Sequence, residues 1–301
     1  MTPNRPVMDA AGMHTRHSMV SVDGIQLHLV EAGAEDGPAV LLLHGFPEYW
    51  AGWRHQIPAL AAAGFRVLVP DQRGYNKSEK PSAVAAYRLE RLAKDATDLL
   101  DRLGIERAHM VGHDWGAAVA WWVALSQPER VDRLCILNVP HPAALSRVLR
   151  TDRVQWLRSW YIGFFQVPWL PEALLGAADG ALLAAAVRRS APRGLFTQSQ
   201  MAAMRAAWRR PAALRSMIHW YRALLRYRPE PPSSWTVKVP TRILWGTADA
   251  FLVPENAPAS LAFCPEGDCI ALEGVSHWVQ HEAAGEVNQL LIDWFSTSRQ
   301  V

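Results

Sequence analysis

Short apolar runs alternate with longer amphipathic ones through the first 139 residues, the pattern of a mostly parallel sheet covered by helices. The runs 25–31, 40–44, 66–70, 109–112 and 134–139 read as strands. Between them Leu89, Leu92, Ala93, Ala96, Leu99, Leu100 and Leu103 recur at helical spacing, and Gly104 stands where a helix end accepts a left-handed residue. Asp23-Gly24 suits a tight turn, so 19–22 pairs with 25–31 and the sheet opens antiparallel. From Pro140 to Trp235 the alternation stops. Ala, Leu, Arg and Trp follow helical patterns there, punctuated by Pro168, Pro171, Pro192, Pro211 and the cluster Pro229, Pro231 and Pro232. Strand-like runs resume at 241–245 and 269–272, with helices over 255–263 and 282–295. The predicted organisation is a core of residues 1–139 and 236–301 with an all-helical insertion at 140–235.

Composition refines this picture. Of 301 residues, 50% are hydrophobic, enough to bury the core of one large domain or of one domain with an insertion. A net charge of +3 does not by itself argue for nucleic acid, and none is expected as a partner. The basic residues are nevertheless uneven: residues 141–235 hold fourteen Arg against Asp152, Glu172, Asp179 and Glu230. That block reads as a solvated face, with attraction to anions or a membrane as the alternative. The first twenty residues lack the apolar centre of a secretory signal, and no run reaches the roughly 18 apolar residues of a membrane span. A soluble, cytoplasmic protein is the expectation. Cys135, Cys264 and Cys269 have no metal-type spacing and read as buried or reduced thiols.

The chemistry centres on Gly112-His113-Asp114-Trp115-Gly116, which follows a strand and precedes an apolar helix. Such a strand–turn–helix elbow usually presents a serine nucleophile; here the residue is Asp114. Glycine two before and two after is needed because the turn brings neighbouring chain close enough to exclude a Cβ. An aspartate before a helix can equally be a plain N-cap. The second element tips the balance: His44-Gly45-Phe46-Pro47 ends another strand, and two loops then share one pole of the sheet. The backbone amides of Phe46 and Trp115 become the natural oxyanion-hole donors. His44 beneath that loop reads as structural. In the fold that presents a nucleophile on such an elbow, an acid and then a histidine follow it along the chain. Asp249 follows the strand 241–245, and His277 follows the strand 269–272. His281 is a rival base already at a helix start, Asp268 precedes its strand, and Asn138 cannot serve as an anion. A carboxylate attacks carbonyls poorly and displaces well at saturated carbon, so the substrate needs a leaving group on an sp3 carbon. His277, oriented by Asp249, would then activate water to hydrolyse the ester on Asp114.

The strings HGFPEYWAGW, PDQRGYNKS, GHDWG, NVPHP, WYIGFFQVPWLPE and GVSHWVQHE resemble the α/β-hydrolase-fold epoxide hydrolases, over nearly the whole chain. The resemblance implies an α/β-hydrolase fold with a mostly parallel eight-stranded sheet flanked by helices and a helical cap inserted after the sixth strand. It also implies two cap tyrosines that assist the departing epoxide oxygen, matched here by Tyr161 and Tyr221. Haloalkane and haloacetate dehalogenases share the core. Trp115 could bind a halide as in haloalkane dehalogenases, but Phe46 stands where many of those enzymes carry Asn. Haloacetate dehalogenases carry arginine at the Trp115 position. A non-catalytic receptor is a third reading, opposed by retention of the whole constellation. The expected protein converts a small apolar epoxide and water to a vicinal diol, with no metal and no organic cofactor; a homodimer is left open. Phe164, Gln166 and Trp169 are weaker candidates for substrate contact, within an interface also rich in Trp50, Trp53, Trp156, Trp160, Trp220 and Trp278.

Overall fold

The computed structural model describes residues 7–8 and 14–296. One sheet contains β1 (Val7–Met8), β2 (His14–Val22), β3 (Ile25–Ala32), β4 (Ala39–Leu43), β5 (Arg66–Pro70), β6 (Ala108–His113), β7 (Val131–Leu137), β8 (Thr241–Gly246) and β9 (Gly267–Leu272), in the order β1-β2-β3-β5-β4-β6-β7-β8-β9. From β5 to β9 in that order every pairing is parallel. The first three strands join antiparallel, β2 and β3 through the predicted turn with Val22 opposite Ile25. Strands β2 to β9 are the expected eight; β1 adds a two-residue edge.

Helices α1 (Gln56–Ala62), α2 (Leu89–Arg102) and α3 (Trp115–Ser126) lie between the earlier strands. Six more separate β7 from β8: α4 (Pro142–Thr151), α5 (Arg153–Arg158), α6 (Trp160–Phe164), α7 (Leu170–Arg189), α8 (Gln198–Trp208) and α9 (Ala213–Arg226). The chain closes with α10 (Asn256–Leu261), α11 (Val279–Glu282) and α12 (Ala284–Ser296). The two-residue alternation of the strands sorts their side chains between two cores. Leu41, Leu43, Leu68, Met110 and Ile136 enter one with α2 and α3; Val40, Leu42, Val67, Val69 and Val111 enter the other with α1 and α12. Helix α3 is enclosed, which is why its sequence is apolar on nearly every face.

The differences from the sequence pattern are local. Strand β7 starts at Val131 and stops at Leu137, because Asn138 takes a left-handed φ of 48°. The single helix expected over 282–295 is two, broken at Ala283, where Glu282 turns back to accept hydrogen bonds from the Ser276 amide and hydroxyl. Helix α7 is long and apolar enough by length and composition to cross a membrane. Left-handed φ values at Ala178, Asp179 and Gly180 break it, however. The pieces 170–176 and 181–189 each fall far short of the roughly 20 residues a span requires. The three cysteines are free thiols.

Candidate active site

Asp114 occupies the turn between β6 and α3 at φ 49° and ψ −123°, a conformation costly for a non-glycine residue. Its flanking glycines are demanded by close backbone approach: a Cβ on Gly116 would lie 2.0 Å from the Leu43 carbonyl oxygen, and one on Gly112 would lie 2.4 Å from the Ala117 Cα. Gly45 is equally constrained, since its Cβ would sit 2.2 Å from the Cβ of Asp114. With nothing there, the Phe46 amide approaches and donates to Asp114 Oδ1 at 2.6 Å. The Trp115 amide lies on the same side and also favours the charged carboxylate. Asp114 is therefore no plain N-cap; its side chain makes no capping bond to α3.

Opposite it, His277 Nε2 lies 3.8 Å from Asp114 Oδ2, while His277 Nδ1 donates to Asp249 Oδ2 at 2.7 Å. That bond fixes the tautomer that leaves Nε2 with a free lone pair toward Asp114. Asp249 is held by more than its partner: Oδ1 accepts from the Phe251 and Leu252 amides at 2.7 and 3.1 Å, and Oδ2 accepts from Asn138 Nδ2 at 2.7 Å. Asn138 in turn accepts from the Gly246 amide at 2.7 Å, joining the ends of β7 and β8. Helix α5 grips the same loop. The buried Gln155 donates to the Phe251 carbonyl and accepts from the Val253 amide and Asn256 Nδ2, and Arg158 Nη1 donates to the Asp249 carbonyl at 2.8 Å. Behind His277, His113 donates through Nε2 to the His277 carbonyl at 2.9 Å and accepts from Gln280, whose amide also reaches Glu48.

Burial raises the Asp114 pKa, and His277 with the two amides offsets only part of that. Burial alone would lower His277, but Asp249 first and then Asp114 outweigh it, so the imidazole sits above its ordinary value. Asp249 is held below the ordinary carboxylate value: burial opposes this, and His277, Asn138 and the Phe251 amide prevail. His113 is driven by burial, then by His277, to about 3 and is a neutral hydrogen-bond relay.

The rivals are occupied elsewhere. His281 donates to Glu48 Oε1 at 2.7 Å, Asp268 binds Arg242, and His44 accepts from the Gln72 amide at 3.0 Å. Asn138 was rightly refused as an anion, yet sequence reasoning missed its positioning contact. A strand-end amide beside the acid-bearing strand was the available signal. Gln155 and Glu48 carried no comparable signal.

Asp114 and His277 open into a cavity of about 790 Å³, lined also by Phe46, Tyr161, Phe164 and Tyr221. Two of the weaker candidates do not line it. Gln166 instead donates to the carbonyls of Ile162 and Tyr221, and Trp169, at the start of α7, is 82% exposed. Of the other tryptophans, Trp160 and Trp278 line the cavity, whereas Trp53 and Trp220 are core packing.

A family model for the alpha/beta hydrolase fold matches residues 38–284. The chain is 44% identical over 276 residues to AB hydrolase superfamily protein YfhM of Bacillus subtilis, spanning 91% of this chain and 96% of that protein. It is 35% identical to epoxide hydrolase 2 of Caenorhabditis elegans, over 90% of this chain and 78% of the relative. The crystal structure of a Bacillus megaterium epoxide hydrolase with an inhibitor matches with TM-score 0.87 and 30% identity, over 93% of this chain and all of that one. The chain belongs to the α/β-hydrolase-fold epoxide hydrolases. In this epoxide hydrolase chain Tyr161 and Tyr221 meet edge to face with ring centres 5.9 Å apart. Burial, then the charge of Asp114, pushes both phenols well above their ordinary value, so they keep their protons. The Trp115 ring meets Tyr221 edge to face with centres 5.0 Å apart.

Proposed function

We propose that the protein hydrolyses epoxides to vicinal diols in two covalent steps, in a pocket between a core of residues 1–139 and 236–301 and a helical cap of residues 140–235. Asp114 Oδ2 attacks a ring carbon; the carbon–oxygen bond breaks, and the ring oxygen takes a proton from Tyr161 or Tyr221, leaving a hydroxyalkyl ester on Asp114. His277 Nε2 then removes a proton from water, and the hydroxide attacks the Asp114 carboxyl carbon. The oxyanion that forms is held by the amides of Phe46 and Trp115. Collapse releases the diol and restores the carboxylate; the proton on His277 returns through solvent to the tyrosinate.

The observation that carries the epoxide reading is the pair of protonated tyrosines in the cavity that holds Asp114. An alkoxide leaving group needs an acid; a halide needs only N–H donors. The Trp115 indole packs edge to face on Tyr221 with centres 5.0 Å apart, and the side chain of Phe46 offers a halide no second donor. The test is mass spectrometry of His277→Gln enzyme mixed with styrene oxide, in which the second step is blocked. A mass gain equal to the whole epoxide, located on Asp114, is expected. Alkylation by a haloalkane with loss of halide, without an epoxide adduct, would instead make it a dehalogenase, and no adduct with either would end the covalent mechanism.

A further inference from the structure

The cavity opens through a rim that water covers poorly. Val154, Leu157, Trp160, Leu174 and Leu182 line the cavity, yet each is between 41% and 68% exposed. The apolar surface continues beyond the rim. Trp156 is 66% exposed on α5 next to Leu157, Leu170 lies one helical turn before Leu174, and Trp169 precedes it at 82% exposure. A contiguous apolar surface of this kind on a globular protein marks a place where something docks.

The charge around it says what. Arg147, Arg150 and Arg153 on α4 and α5, and Arg188 and Arg189 at the end of α7, are exposed and make no side-chain hydrogen bond or ion pair among the described residues. The neighbouring acids are engaged: Asp152 caps α5, Glu172 pairs with Arg222, and Asp179 pairs with Arg205 and Arg209. A second copy of this chain related by a twofold axis would bring two such basic rows together with no acid to meet them. A nucleic acid would use the arginines and leave the leucines without a partner. Exposed tryptophans beside leucines, flanked by unpaired arginines, match the headgroup layer of an anionic bilayer, where indoles seat at the interface and guanidinium groups meet phosphates.

We propose that the cavity rim on α5, α6 and the first half of α7 docks on an anionic lipid surface. Trp156, Trp160 and Trp169 seat at headgroup level, and Arg147, Arg150 and Arg153 face the lipid phosphates. Docking turns the mouth of the cavity toward the bilayer, so an apolar substrate dissolved in lipid enters without crossing water. The inference rests on the surface and holds whatever the leaving group in the cavity.

The test is co-sedimentation of the full chain with phosphatidylglycerol vesicles and, separately, phosphatidylcholine vesicles. Binding to phosphatidylglycerol that weakens with added salt, and little binding to phosphatidylcholine, is expected. The double variant Arg150→Glu/Arg153→Glu should weaken it at least about tenfold, and Trp156→Ser/Trp169→Ser should weaken it comparably. None of these four residues lines the cavity, so turnover of styrene oxide dissolved in water stays unchanged, which separates loss of docking from loss of hydrolysis. Wild-type protein that stays in the supernatant, or variants that sediment like wild type, would overturn the proposal. So would a solution dimer that Trp156→Ser/Trp169→Ser dissociates, because the patch would then belong to a second copy.

Discussion

Replacing Gly45 with alanine tests the geometry of the nucleophile more directly than removing a catalytic group. The new methyl would stand 2.2 Å from the Asp114 Cβ, 2.8 Å from its Cγ and 2.6 Å from its Oδ1. Carbon atoms in contact prefer about 3.5–4.0 Å, so the loop and the carboxylate must part by roughly 1 Å. Asp114 cannot retreat, because its backbone is clamped between β6 and α3, where Gly116 already touches the Leu43 carbonyl. The loop moves instead. The 2.6 Å bond from the Phe46 amide to Oδ1 then stretches beyond the range of a hydrogen bond. Loss of one oxyanion-hole donor and a misplacement of this size each cost on the order of 10²-fold or more in rate. Asp114 also loses one of the amides opposing the rise of its pKa, so less of it is ionised at a given pH. Steady-state diol formation from styrene oxide across pH, with thermal unfolding as a control for folding, provides the assay. The expected result is a drop of at least about 10²-fold in kcat, with the acid limb moved to higher pH in a folded protein. Activity within fivefold of wild type would refute the claim that Gly45 exists to admit the Phe46 amide.

Other substitutions probe the remaining contacts. Asn138→Leu strands the Gly246 amide and removes a donor from Asp249; a loss of about 2–4 kcal/mol is expected in denaturant unfolding. Tyr161→Phe and Tyr221→Phe each slow ester formation by ~10²-fold, measured in single turnovers with epoxide, and the double variant is slower than either. With His277 proposed as the base, Asp249, which raises its pKa, sets the acid limb of ester hydrolysis, so hydrolysis falls as pH drops through the His277 pKa; Asp249→Asn should move that limb to lower pH in a pre-steady-state profile. The same shifts act on stability. The raised His277 adds stability that is full below its unfolded pKa and lost as pH rises through its folded one. The depressed Asp249 adds stability present above its unfolded pKa and lost as pH falls through its folded one, so thermal unfolding of Asp249→Asn should depend less on pH at acid pH than that of wild type, with the share from Glu48 and Asp71 remaining.

The sheet and the elbow were legible because each rests on a local pattern. Two-residue alternation sets β4 between its two cores, and glycines at 112 and 116 report a backbone crossing that only a strand–turn–helix makes. Asp249 and His277 were legible because strand ends gather at one edge of a parallel sheet. What escaped depends on contacts between distant segments. Asn138 is an uncharged residue at a strand end whose value lies in the neighbouring strand. The break in α7 hides in a run of alanine, glycine and leucine that offers no periodicity to interrupt. Gln166 and Trp169 belong to the string WYIGFFQVPWLPE, which resembles the family's, but one turns to backbone carbonyls and the other to solvent.

The hold of α5 on the loop that carries Asp249 ties two properties usually treated apart. Val154 and Leu157 shape the wall of the cavity, and Gln155 and Arg158, interleaved with them on one short helix, anchor residues 249–256. A change at Val154 or Leu157 large enough to move Gln155 or Arg158 passes through residues 249–256 to the carboxylate that orients His277. In this scaffold, breadth of substrate and speed of ester hydrolysis are inherited together, and grafting a foreign α5 without its matching loop would trade one against the other.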